Sequence, residues 1–306
     1  VEPVKVGDGE RAYFNGAIKK IDTVSSVLVS SSPYLNHAGL RGLIAQEMLR
    51  RNGPDLPNTA YIPEVVQILF QLEDLPRIVQ LFDEERQTRP ELDRWLEERQ
   101  LSDFTIENVK HCAPGTLGAA LHHFMLNSGY ELDIFYREIK VVDNLTYYLR
   151  QSALTHDIEH IVSGFGPNHG GEIALLTANL HARSRYFGPE LAAFFNRIQV
   201  YLRAKTIMKN GLYYPQAAAL AYEAEYVGAT QGRNWKYPLM LVNWRAYADV
   251  QIADIRQELG ITPILPEGLW DHTDAFNMEQ QMAPNMAHNS DSRHGNDDAA
   301  MRSAAE

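Results

Sequence analysis

Apolar residues in this chain recur every third or fourth position and never settle into the alternation of a half-buried strand. At 3.6 residues per turn such positions line one face of a helix, so the chain can bury its apolar surface only by packing helix against helix. Two helices are expected between Ala17 and Arg51, through Ile18, Ile21, Val24 and Val27 and then Leu40, Leu43 and Ile44, broken at Ser30-Ser31-Ser32-Pro33 and ended by Asn52-Gly53-Pro54. Glu64–Leu72 reads as a third; Leu75-Pro76 interrupts the apolar face and Ile78 resumes it. A charged helix follows from Pro90 to about Arg99, Ser102-Asp103 caps a short one, and Ala119–Ser128 continues from a glycine turn. Further on, helices are predicted over Ile173–Arg183, Gly188–Met208 and Gln216–Tyr226, with a break from Gly228 to Gly232, and a last long one over Leu239–Glu258 stopped by Gly260 and Pro263. The expectation is all-α: a single large multi-helix domain over residues 1–265, loose over the first dozen residues. The segment 266–306 turns to Asn, Asp, Ser and His without periodicity and is expected to be a disordered tail, its scattered His272, His288 and His294 solvated.

With 306 residues, 45% of them hydrophobic, the chain can bury a substantial core. Its net charge of −11 argues against nucleic acid as a partner, because phosphate binding needs a basic surface. One cysteine, Cys112, allows no intrachain disulfide and fits a reducing compartment. No run of about 20 apolar residues is present to span a membrane. The start, Val-Glu-Pro-Val-Lys-Val-Gly, has no signal or transit character, and a cytoplasmic location is expected.

The chemistry concentrates in His156-Asp157-Ile158-Glu159-His160, followed by a glycine-rich stretch and Glu172. Two histidines four apart lie about 40° from each other around a helix axis, and Asp157 flanks the same face. Gly164, Gly166, Pro167, Gly170 and Gly171 break the helix, letting the chain fold back into a new helix at about Glu172. His156, Asp157, His160 and Glu172 thus offer two nitrogens and two carboxylates to one point, a donor set for a divalent metal. Zinc is favoured, with manganese, iron or cobalt admitted by the same ligands. Glu159 points away and is expected on the surface. In zincins the residue after the first histidine is a general-base glutamate; here it is Asp157, which disfavours a peptidase. His122 and His123 are read as the polar side of their helix.

The spacing His-Asp-x-x-His, eleven residues, Glu resembles the metal motif of the coenzyme Q biosynthesis protein 4 family. Pro114-Gly115-Thr116-Leu117-Gly118 is similar to that family's G-[ST]-L-G segment, and Asn243-Trp244-Arg245 through Ile255-Arg256-Gln257-Glu258-Leu259-Gly260-Ile261 to its closing helix. The resemblance covers about residues 110–262. It implies an all-helical protein of the ubiquinone pathway holding its metal through His156, Asp157, His160 and Glu172, which would also carry catalysis. The implied activity is oxidative decarboxylation at carbon 1 of a polyprenylated 4-hydroxybenzoate-type ring, with carboxylate replaced by hydroxyl. Implied partners are a prenylated aromatic or isoprenoid lipid, other quinone-biosynthesis proteins, a peripheral contact with the inner membrane and a second copy of the chain. Three departures stand out: Gln151-Ser152-Ala153-Leu154-Thr155 in place of an arginine- and tyrosine-bearing run, Leu121 in place of tyrosine, and Arg245 after Trp244. A non-catalytic lipid carrier, a relative acting on another lipid or aromatic compound and, more remotely, an HD-type phosphohydrolase stay open. The alanines after Glu172 suit either a prenyl cleft or plain helix packing.

Overall fold

The structure is a computed structural model that describes residues 8, 11–12, 32–50, 61–128, 132, 136–262 and 270. The helices are α1 (Pro33–Asn36), α2 (Ala38–Leu49), α3 (Ile62–Leu72), α4 (Leu75–Arg86), α5 (Pro90–Glu98), α6 (Ile106–Val109), α7 (Leu117–Ser128), α8 (Asn144–Ser163), α9 (His169–Tyr186), α10 (Pro189–Tyr213), α11 (Pro215–Asn234) and α12 (Ile252–Leu259). Two 3-10 turns, Leu239–Leu241 and Trp244–Tyr247, lie between the last two. The described residues form no strand, only one isolated antiparallel bridge between Thr116 and Gln251. The all-α expectation holds. The readings placed on the loose N-terminus, the helix from Ala17, the loop around Asn52-Gly53-Pro54 and nearly all of the tail, with its histidines, lie outside the described residues.

The middle of the fold is α8, buried on several faces through Leu145, Tyr147, Leu154, Ile158 and Val162. Aromatic rings close around it: Trp95 of α5 sits 4.5 Å from Tyr147, and Phe195 of α10 sits 4.6 Å from Tyr148. Phe82 of α4 reaches the same Phe195 at 5.6 Å. Each such side chain contributes about 1.5–3 kcal/mol by leaving water, so the ring cluster anchors α8 against three other helices. The capping of α8 is explicit in the sequence around it. Asp143 Oδ1 accepts from the Thr146 amide at 2.8 Å in a reciprocal capping box, and Gly164 ends the helix at φ 78° with its amide on His160 O.

Three readings are corrected. Gly228 and Gly232 do not break a helix, because α11 runs unbroken through both. They are contact points instead: a Cβ there would lie 2.2 Å from Ala174 O and 2.0 Å from Ala178 O, backbone atoms of α9. Ala174, Ala178, Ala221 and Ala224 are buried along the α9–α11 pair, so these alanines are taken up by helix packing rather than by a prenyl cleft. The predicted long helix from Leu239 to Glu258 is two 3-10 turns and the short α12. Leu239, Met240, Leu241, Val242 and Trp244 are all buried, which one helix face could not achieve, and the carbonyls of Ala248 and Val250 are taken by the amides of Gly118 and Leu117. The short helix after Ser102-Asp103 is capped by Thr105, with Asn108 completing its capping box, rather than by Ser102.

The last described residue, Trp270, falls inside the segment assigned to the tail, yet it is buried, 2% exposed. Its ring stands where a side chain on Gly170 would go, 2.6 Å from an added Cβ.

Candidate metal centre

α8 delivers His156 and His160 one turn apart near its C-terminal end. The chain then reverses through Gly164–Pro167, and α9 opens at His169, three residues earlier than expected. Asn168 caps it, its side chain accepting from the Gly171 amide at 2.8 Å, and this fixes Glu172 in the first turn, where the helix dipole favours a carboxylate. The reversal is as tight as a backbone permits. A Cβ on Gly171 would sit 1.7 Å from Gly166 O. Gly170 and Gly171 are therefore required by close approach, while the left-handed backbone in this stretch belongs to Gly164 alone.

The result is a compact donor group. Glu172 Oε1 lies 3.2 Å from His160 Nε2 and 3.7 Å from His156 Nε2, and the two imidazole rings meet edge to face at 4.8 Å. Ligands bound to one cation at about 2.0–2.2 Å stand about 3–3.6 Å from each other, so the His160–Glu172 distance matches a metal site and the His156–Glu172 distance lies just above it. His160 is buried, 6% exposed, and its Nδ1 pairs with the Phe165 carbonyl at 2.9 Å. A carbonyl only accepts, so Nδ1 carries a proton and Nε2 is the nitrogen that faces the site. His156 keeps 46% of its side chain open to solvent and supplies the accessible side. Asp157, half-buried, does not belong to this group of mutually close donor atoms.

Electrostatics bind the three together in the metal-free state. Burial works against a charge on His156, but the Glu172 carboxylate and its hydrogen bond overturn this and raise the imidazole to about 9. Burial likewise works against the Glu172 carboxylate, and the two histidines overcome it, holding the group well below the usual carboxylate range. A proton thus occupies the place a cation would take, and the residues fit a divalent metal.

Several supporting residues escaped the sequence reading. Glu159, expected on the surface, is buried, 3% exposed, and accepts from Asn179 Nδ2 at 2.7 Å. The α8 periodicity misled because α9 covers the face opposite the histidines as well. Arg256 of α12 donates to Val162 O at 2.7 Å and Ile161 O at 3.2 Å, satisfying the open carbonyls at the C-terminus of the histidine helix. Gln151 is not a vacant substitution: its side chain accepts from the Ser102 amide at 2.9 Å and donates to Ser102 Oγ at 2.8 Å, sealed from water. His123 is exposed and pairs with Asn127, as a polar helix side would.

These contacts join the three motif segments into one frame. The Gly115–Gly118 turn is stitched to residues 248–252 by the amides of Leu117, Gly118 and Ile252, and those residues launch α12, whose Arg256 caps α8. A cavity of about 330 Å³ between α5 and the 3-10 turns is lined by Glu91, Arg94, Trp95 and Tyr247 among others, and by none of the donor residues.

Comparison with known proteins follows the same outline. The family model described as coenzyme Q (ubiquinone) biosynthesis protein Coq4 matches residues 79–265. Among solved structures, the crystal structure of a candidate ubiquinone biosynthesis protein from Nostoc punctiforme is similar at a TM-score of 0.53 and 24% identity, covering 74% of this chain and 99% of that one. At that identity the likeness establishes the shared fold. No curated protein matches the chain significantly. The matched residues hold the donor group, the glycine turn stitched to residues 248–252 and the helix that caps α8, and on that span the chain belongs to the coenzyme Q (ubiquinone) biosynthesis protein Coq4 family, which places it in ubiquinone biosynthesis.

Proposed function

We propose that the chain acts on a polyprenylated 4-hydroxybenzoate-type ring, replacing the carboxylate at carbon 1 with hydroxyl at a centre built from His156, His160 and Glu172, with Asp157 next to His156 on the same helix and outside the donor group. The observation that carries this reading is the 3.2 and 3.7 Å convergence of two imidazoles on one carboxylate in a family of ubiquinone biosynthesis. A bound divalent cation, zinc favoured, would supply Lewis-acid charge stabilisation for the substrate's carboxylate or phenolate. The chain's own residues do the rest. His160, fixed by Phe165 O, and Glu172, fixed by the Asn168 cap, set the geometry, and the open side of His156 is the approach for substrate. The exchange releases carbon dioxide and takes up one oxygen atom with a two-electron oxidation, so an external oxygen-atom donor is a required co-substrate; with dioxygen in that role, an external two-electron reductant carries its second oxygen atom to water.

The ligand is then a prenylated aromatic lipid, reached by peripheral membrane contact and shared with other quinone-biosynthesis proteins and a second copy of the chain. No described helix is long and apolar enough to cross a membrane. One observation favours a second reading, a carrier that holds a prenylated intermediate without turning it over. Glu159, the further carboxylate on the histidine helix beside Asp157, is sealed and committed to Asn179, which withdraws it from acid–base work.

Complementation of a strain blocked at the carbon-1 step, with quinone analysis, tests the enzyme. Restored quinone from the wild type and none from Glu172→Ala, with prenyl-lipid binding intact, is the expected result. A well-expressed wild type that binds the lipid and restores nothing makes the chain a carrier.

A further inference from the structure

A second group of donors lies on turns rather than helices. The His111 ring, Cys112 Sγ and an Asp249 carboxylate oxygen all come within 4.8 Å of one another, with His111 and Asp249 exposed and Cys112 half-buried. None of these residues belongs to the centre on α8 and α9. The start of α7, which follows His111-Cys112, is locked to the residues flanking Asp249: Gly118 N donates to Ala248 O at 2.7 Å and Leu117 N to Val250 O at 3.0 Å, while Cys112 N is held by Val109 O at 3.1 Å. Gly118 permits this closeness, since a Cβ there would meet Cys112 Sγ at 2.4 Å and Ala248 O at 2.8 Å. The three donors are thus held together by backbone contacts that do not depend on the donors themselves.

We infer that His111, Cys112 and Asp249 form a second divalent-cation site, one for a thiophilic, borderline-soft ion of the zinc, cobalt or cadmium class. One imidazole, one thiolate and one carboxylate suit such ions, and the open side leaves a fourth position to water. On binding, the Sγ–H bond is lost, the sulfur–metal bond forms, and the proton leaves to solvent. The thiolate and carboxylate charges then neutralise the cation. The occupied site ties the turn after α6 to the turn before α12, and so braces the helix whose Arg256 caps the histidine helix.

Cobalt(II) titration of the full chain tests this, because sulfur ligation gives a near-ultraviolet charge-transfer band that the sulfur-free centre of His156, His160 and Glu172 cannot produce. The band should saturate once both centres are filled, at two equivalents of cobalt in the wild-type chain and at one in His160→Ala, and should disappear in Cys112→Ser and in the double variant His111→Ala/Asp249→Ala. Zinc should also slow alkylation of Cys112 in the wild-type chain, a readout that needs no variant to fold. Absence of the band at excess cobalt, its survival in the double variant, or alkylation undiminished by excess zinc would overturn the site.

Discussion

Two clusters of three donors differ in what holds them. His156, His160 and Glu172 stand on two long helices joined by a reversal with no spare room, and two of the three have their own support: Phe165 O behind His160, the Asn168 cap under Glu172. His111, Cys112 and Asp249 stand on turns, exposed, and rely on a backbone stitch between residues 115–118 and 248–252. The first is preorganised by the fold's largest elements, and the second only by two neighbouring loops. Rigid elements with supported ligands suit chemistry, whereas a site on turns suits a structural ion.

The sharpest way to break this contrast is in the glycines. Gly171→Val drives side-chain atoms into Gly166 O, a backbone atom that cannot step aside, and should cost the top of the about 1–3 kcal/mol that overpacking exacts or more. Thermal unfolding should show a large loss, with metal at the α8–α9 centre lost too. Gly118→Ala, its counterpart, meets Cys112 Sγ at 2.4 Å and Ala248 O at 2.8 Å, a milder clash than 1.7 Å, and should destabilise less, while abolishing the cobalt–thiolate band. Equal losses of stability in the two variants would erase the distinction.

Arg256→Ala tests whether α12 supports the first cluster from a distance. Losing two hydrogen bonds from a charged donor to the carbonyls of Val162 and Ile161 should cost about 1.5–3 kcal/mol. Metal affinity at the α8–α9 centre should fall about tenfold, as for other outer supports of ligands. An unchanged affinity would separate the closing helix from the site.

A smaller effect is expected from pH on the metal-free chain. His156 is raised from 6.5 to about 9, so its pairing with Glu172 stabilises fully below about 6.5 and is lost as pH rises through about 9. Glu172 is depressed, so its share is present above about 4.5 and lost as acid protonates it. Stability gained over Glu172→Gln should therefore be greatest between these limits and fade on both sides, and half the His156 side chain being in water keeps it modest. With metal bound, the alkaline loss should vanish, because a neutral imidazole is the ligand. Identical pH profiles for wild type and Glu172→Gln would show that the pair carries no charge interaction.

The helical class and the closeness of His156 and His160 were legible because both follow from local spacing, 3.6 residues per turn, whereas Asp157, counted with them in the sequence, lies outside the close donor group. The reversal was legible as glycines, but its reason was not. Gly171 and Gly228 look alike in sequence, yet one faces a loop carbonyl and the other a carbonyl of a neighbouring helix, information that exists only across the packing. Glu159 was misread for the same reason, since burial on both sides of α8 defeats an amphipathic count. Residues 239–250 looked helical because they are apolar. Their role, enclosing the core from several directions while lending carbonyls to the 115–118 turn, is a tertiary demand that overrides propensity.

The central claim is that His156, His160 and Glu172 hold a divalent cation. The direct measurement is the metal content of purified chain in a Cys112→Ser background, which removes the second site, compared with the same chain carrying His160→Ala. The account predicts one divalent ion per chain in the first and almost none in the second, with helical content preserved in both. A full equivalent of metal in the His160→Ala chain would contradict it.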